Sequence, residues 1–313
     1  MTDPDITLVE EHTIAVNNRI RQIAWIVIGL LIVFLLGLGS GYLKWGQRAT
    51  SDLNLATLQE EINPAEGYAL PISYGDLGPQ LLEGGVISFD AFAAIYENSG
   101  NPLSAQQLDI LKLGSDEQII ITPKNSHFLL NFFWAVGLAN RNSILTEGPM
   151  VQTSDGQVER FASTGGWTLA TKPISELHAS MDLIPLTAEQ QKLVEEVAAG
   201  IYRPCCDNHT LFPDCNHGMA MLGLLQLMAS QGATADEMFE AAKYINAYWF
   251  PQQTLETAIY LQLNQNVSFK DADAKLVVSE QFSSGSGARM VHEDLQAKGL
   301  VKQAPGQGGS CAN

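Results

Sequence analysis

Five thiol and imidazole side chains crowd into the segment PCCDNHTLFPDCNHG: Cys205, Cys206, His209, Cys215 and His217. The chain has four Cys and six His in 313 residues, so random scatter would put about 0.4 of them in a window of this length, and the enrichment calls for a chemical reason. Thiolate and imidazole are the donors that Zn²⁺ and Cu(I) prefer, and one loop can gather several of them around a single ion. The spacing CCxxHxxxxxCxH departs from the usual zinc-finger spacings, so it points to metal or thiol chemistry without fixing the ion, zinc or copper. The expected ligands are Cys206, His209, Cys215 and His217, with Cys205 as a further candidate.

Two other uses of the same residues stay open. A redox pair would have Cys206 attacking and Cys215 resolving, or the reverse. A structural disulfide of Cys215 with Cys206 or Cys205 would staple a non-enzymatic docking module. A bond between the vicinal Cys205 and Cys206 is disfavoured, because adjacent Cα atoms lie about 3.8 Å apart, below the usual disulfide range. Met219, Met221 and Met228 follow the cluster and could supply thioethers to copper, although core filling is their commoner use. His127 is a further candidate ligand, or a hydrogen-bonded histidine at a helix start. The sequon Asn208-His209-Thr210 matters only in a glycosylating pathway.

The elements that must hold this loop are helical. Thr187 with Gln190 caps AEQQKLVEEVAAGI before the loop, Asn216 is the expected cap of MAMLGLLQLMASQ after it, and Thr234 with Glu237 caps ADEMFEAAKYINAYWF, which ends at Pro251. Further helices are expected over 252–263 and after Ser268. Upstream, Ser88 and the Ser104/Gln107 pair open short helices, and the apolar run from Phe128 to Ala139 reads as a buried central helix. Between them, VQTSDGQVERF with its Ser-Asp-Gly turn predicts a small β-hairpin over 151–161, and GGWTLAT a third short strand.

Ahead of all this, Ile23 to Leu43 is an uncharged apolar run about 31 Å long as a helix, matching a bilayer's hydrocarbon core. With Trp25 at one end and Tyr42 and Trp45 at the other, it reads as one uncleaved transmembrane helix. Gly37 and Gly41 have the GxxxG spacing of a helix-dimer face, a spacing that also occurs without pairing. No Lys or Arg stands between Arg48 and Lys112, which favours a cytoplasmic N-terminus and an extracytoplasmic main domain. Seventeen Lys and Arg against 34 Asp and Glu give a net charge of −17, which repels phosphate backbones and removes nucleic acid from the expected partners. The lipid bilayer and a protein outside the membrane remain.

Residues 187–251 resemble the H-type membrane-anchored thiol proteins of cytochrome c maturation. The likeness rests on Cys206, Asn208 and Thr210, then Gly232, Thr234, Asp236 and Glu237, and the aromatic end Tyr248, Trp249, Phe250 before Pro251. It implies a three-helix bundle. The reductase activity of that family needs a CxxC pair, and here the residue three before Cys206 is Arg203.

The expected architecture is therefore mainly α with a small β-hairpin element, a single N-terminal transmembrane helix and a three-helix-bundle-like C-terminal half. The expected segments are a cytoplasmic tail at 1–22, the span at 23–43, a stem at 44–70, a mainly helical domain with the β element at 71–185, the Cys/His helical domain at 186–282 and a flexible tail at 283–313. No GxSxG, HExxH, P-loop or dinucleotide fingerprint marks a hydrolase or nucleotide enzyme. A thiol-disulfide oxidoreductase is the enzyme class that the residues leave open.

Overall fold

The computed structural model describes Trp25, residues 27–34 and residues 54–302. Trp25 and residues 27–34 are helical, with Leu30, Val33 and Phe34 exposed. Among the described residues no helix is long and apolar enough to cross a membrane. The rest of the expected span, the Gly37/Gly41 spacing, the first part of the stem and Cys311 lie outside the described residues.

Residues 55–302 are mainly helical with one two-stranded antiparallel sheet. In chain order they run α1 (Leu55–Ile62), β1 (Tyr68–Gly75), α2 (Leu77–Glu83), α3 (Phe89–Asn98), α4 (Ala105–Leu113), β2 (Ser115–Ile121) and α5 (Ser126–Ala139). Short helical turns follow, then α6 (Ala188–Gly200), α7 (Asn216–Ser230), α8 (Ala235–Trp249), α9 (Pro251–Gln265) and, after two more turns, α10 (Gly285–Ala297).

The expected hairpin over 151–161 does not form. Pro149 opens a short helix, Pro149–Ser154, and Asp155 and Gly156 take positive φ to end it, so the Ser-Asp-Gly signal terminates a helix instead of joining strands. Trp167 turns its indole inward and donates to Val86 O at 2.8 Å. The sheet pairs β1 with β2 instead, with Tyr68 opposite Ile121 and Ser73 opposite Gln118. The SSGSG segment is likewise no flexible tail. Ser284 caps α10 by accepting from the Gly287 amide, and the apolar Ala288, Val291 and Leu295 bury one face of that helix.

The core is built on α5 and α7. Every residue from Phe128 to Ala139 is buried, and so is every residue of α7 from Gly218 to Ala229. Burying each large apolar side chain contributes about 1.5–3 kcal/mol, which fixes this pair at the centre. Gly137 and Gly223 sit where the two helices touch: a Cβ at Gly137 would run into the backbone of Met219, and one at Gly223 into that of Phe133. The polar exceptions are largely paired, with Gln226 Nε2 left without a partner. Asn131 donates to Tyr96 Oη at 2.9 Å, and Asn140 donates to Gln226 Oε1 at 2.9 Å and accepts from the Ile184 amide at 2.8 Å. Segments 71–185 and 186–282 thus share one core, within which α6, α7 and α8 pack on one another.

Candidate metal centre

The loop from Ile201 to Cys215 joins α6 to α7, and its closure begins with backbone pairing. The Thr210 amide and hydroxyl both donate to Ile201 O, and Tyr202 pairs with His209 as an isolated antiparallel bridge. Tyr202 is fixed from outside by its own amide on Val278 O at 2.8 Å and by Asn246 Nδ2 on its carbonyl at 2.9 Å.

Inside the loop stands Arg203, 1% exposed. Its Nη1 donates to Asn208 O at 2.7 Å, its Nη2 to Phe212 O at 2.9 Å and to Asp214 Oδ1 at 2.6 Å, and its Nε to Cys215 Sγ at 3.1 Å. A tight loop leaves carbonyls facing inward, and the planar fork of arginine satisfies several at once where an ammonium could not. Asn208 Nδ2 completes the set by donating to Asp214 Oδ2 at 2.8 Å. Burial works against the guanidinium charge, but Cys215, Cys206 and Asp214 outweigh it and hold Arg203 above the ordinary arginine range. Burial raises the Asp214 carboxyl, with Arg203 opposing.

Two helix N-termini converge on the loop. Cys215, not Asn216, is the N-cap of α7: its backbone is extended, and its Sγ accepts from the Gly218 amide at 3.3 Å. A thiol sulfur thus takes the place that a Ser or Asp oxygen usually fills, at the positive end of the helix. Gly218 has to be glycine, because a Cβ there would meet the Arg203 guanidinium. On the other side the Gly285 amide donates to Cys206 O at 2.9 Å, and the Ser286 amide to Asp207 Oδ1 at 2.7 Å, which lowers the Asp207 carboxyl. The segment expected to be a flexible tail is therefore one wall of the site.

These supports bring Cys205, Cys206 and Cys215 together, all three sulfurs lying within 4.8 Å of one another. Cys205 Sγ is 3.5 Å and Cys206 Sγ 3.9 Å from Cys215 Sγ, and Cys206 Sγ is 3.9 Å from Asp214 Oδ1. Cys215 is buried and the other two are partly exposed, so the cluster is open on one side. The hydrogen bond with Cys205 favours the Cys206 thiolate, but the bond to Cys215, burial and the Cys215 charge prevail and push its pKa up to about 12.

The two expected histidine ligands are not in that group. His209 lays its ring edge-on to Tyr202, and burial and Arg203 lower its pKa. His217 packs on Trp249 and Phe250, with centroids 5.7 and 4.5 Å away. Loss of hydration takes the His217 pKa down to about 4. His127 belongs to the start of α5, where its ring faces Tyr96 and its Nε2 lies 3.4 Å from Asn131 Nδ2. Met219, Met221 and Met228 are buried in the α7 core.

Arg203 is the functional residue that sequence reasoning misses, meeting it only as the residue that stands where a CxxC would have its first Cys. A lone Arg among Pro, Cys and Asp in a chain this acidic is a signal for a buried counter-charge. Searches against protein-family models, characterised proteins and solved structures find no match for this chain.

Proposed function

We propose that this chain is a membrane-anchored extracytoplasmic protein that binds a thiophilic transition metal, zinc or copper, through Cys205, Cys206 and Cys215. The observation that carries the reading is the mutual approach of three thiols on a loop whose shape is held by a buried arginine. Their separations of 3.5 and 3.9 Å bracket the ~3.8 Å between two sulfurs bound tetrahedrally at about 2.3 Å from one zinc. The anchor rests on the apolar run from Ile23 to Leu43, and the three-helix thiol-domain likeness on the residues from Cys206 to Pro251 that carry it, with which the mutual packing of α6, α7 and α8 agrees.

Elemental analysis of the full purified chain, combined with a thiol count under native conditions, tests this. About one equivalent of metal is expected, with the three clustered thiols shielded from reagent until a chelator is added. Metal-free protein of native helicity whose three thiols react at once would refute the reading.

A second reading is favoured by the 3.5 Å between Cys205 and Cys215. Thiol-disulfide exchange with an external disulfide would join these two sulfurs, break the external S–S bond and release it as two thiols, with the two protons passing to the product. Titration across graded redox potentials should then show a reversible two-electron couple that Cys205→Ser abolishes and Cys206→Ser retains.

A further inference from the structure

Resting on the metal-binding reading, we infer that the ion this site takes is Cu(I), held by three sulfurs with no nitrogen or oxygen ligand. A structural zinc site closes with four protein ligands, and a zinc with three completes its shell with water; among the described residues the side chains gathered within 4.8 Å of one another are three thiols, without a His or a carboxylate. The neighbouring carboxylate is committed elsewhere. Asp214 spends Oδ1 on Arg203 and Oδ2 on Asn208. The rings of His209 and His217 pack on Tyr202 and on Trp249 and Phe250, and neither joins the group of three sulfurs, although Nδ1 of each is buried without a hydrogen-bond partner. Cu(I) is a soft d¹⁰ ion for which thiolate is the preferred donor, and it is satisfied by two or three of them.

Charge leads to the same ion. A monovalent metal leaves thiolate sulfurs electron-rich and the site negative, which calls for N–H donors aimed at sulfur. Cys215 has two of them: Arg203 Nε at 3.1 Å and the Gly218 amide at 3.3 Å, the latter at the positive end of α7. The buried guanidinium adds a full positive charge next to the cluster. The open side formed by the partly exposed Cys205 and Cys206 gives a route by which an ion could pass in from a donor or out to an acceptor.

The full chain, reduced and kept anaerobic, is loaded with Cu(I) against a competing Cu(I) chelator and examined by X-ray absorption at the copper edge. One equivalent is expected, in a shell of three sulfurs without a nitrogen or oxygen scatterer. Cys205→Ser, Cys206→Ser and Cys215→Ser should each weaken Cu(I) binding by about a hundredfold, and His209→Ala by less than about threefold. Cys215→Ser keeps a helix-capping acceptor, and unchanged helicity checks that the fold survives. A nitrogen scatterer, or loss of affinity in His209→Ala as large as in the cysteine variants, would overturn the three-sulfur site. One tightly held zinc with Cu(I) excluded would overturn this inference and leave the metal-binding reading standing. Binding of neither ion would remove both.

Discussion

Arg203 shows how one residue can decide whether a loop is a site. It gives the loop carbonyls of Asn208 and Phe212, the Asp214 carboxylate and the Cys215 sulfur their hydrogen-bond donors, with its side chain almost wholly out of water. Removing it leaves those acceptors in a cramped interior and an anion without its partner, so Arg203→Met should cost about 3–5 kcal/mol. Arg203→Lys should recover little of this, since a single ammonium cannot face four acceptors lying on different sides. Urea denaturation of both variants checks the claim, and a Lys variant within experimental error of the parent would contradict it. That Cys205, Cys206 and Cys215 belong together was legible in the sequence, because thiols this dense need a shared purpose. That His209 and His217 stand apart was not. Their side chains answer to Tyr202, Trp249 and Phe250, contacts made by folding and invisible in loop spacing.

At the scale of elements, legibility follows the range of the interaction that sets each boundary. The boxes Ser104/Gln107, Thr187/Gln190 and Thr234/Glu237 all form as expected, because a capping box closes within four residues. Ser88 also caps as expected. The strands escape this kind of reading because β1 and β2 are joined across three intervening helices, and only the pairing marks the half-polar SDEQIII as a strand. SSGSG misleads for a related reason. Composition alone says flexible, while Ser284 is committed to the Gly287 amide of α10 and Gly285 to Cys206 O. The crossing of α5 and α7 offers a direct test of how tightly elements meet. A Cβ at Gly223 would sit 2.5 Å from Phe133 O, so Gly223→Ala must pry the two central helices apart. It is expected to cost about 1–3 kcal/mol. Thermal unfolding followed by circular dichroism would show this, whereas an unchanged midpoint would mean that the helices separate freely.

For the whole molecule, two effects of pH oppose each other. With 34 acidic against 17 basic side chains and an isoelectric point near 4.6, lowering the pH relieves self-repulsion and favours the compact state. Histidines held neutral do the reverse. His178 is half-buried with Nε2 out of solvent and unpartnered, and burial lowers its pKa below the usual 6.5, with Glu159 opposing. Because the folded value lies below the unfolded one, the unfolded chain takes up the proton first as pH falls. The contribution of His178 to stability is thus complete above 6.5 and is lost as pH drops through its folded value. His209 and His217, also lowered, act in the same direction. The net slope of the parent mixes these terms with the relief of acidic repulsion, so the informative quantity is a difference. His178→Phe keeps a ring in the same place and removes one proton site while leaving the acidic surface untouched. Melting temperatures measured at pH 7.5 and pH 5 should therefore fall less, or rise more, on acidification in His178→Phe than in the parent. Parallel pH profiles for the two proteins would show that the buried imidazole takes up its proton within the fold at no cost.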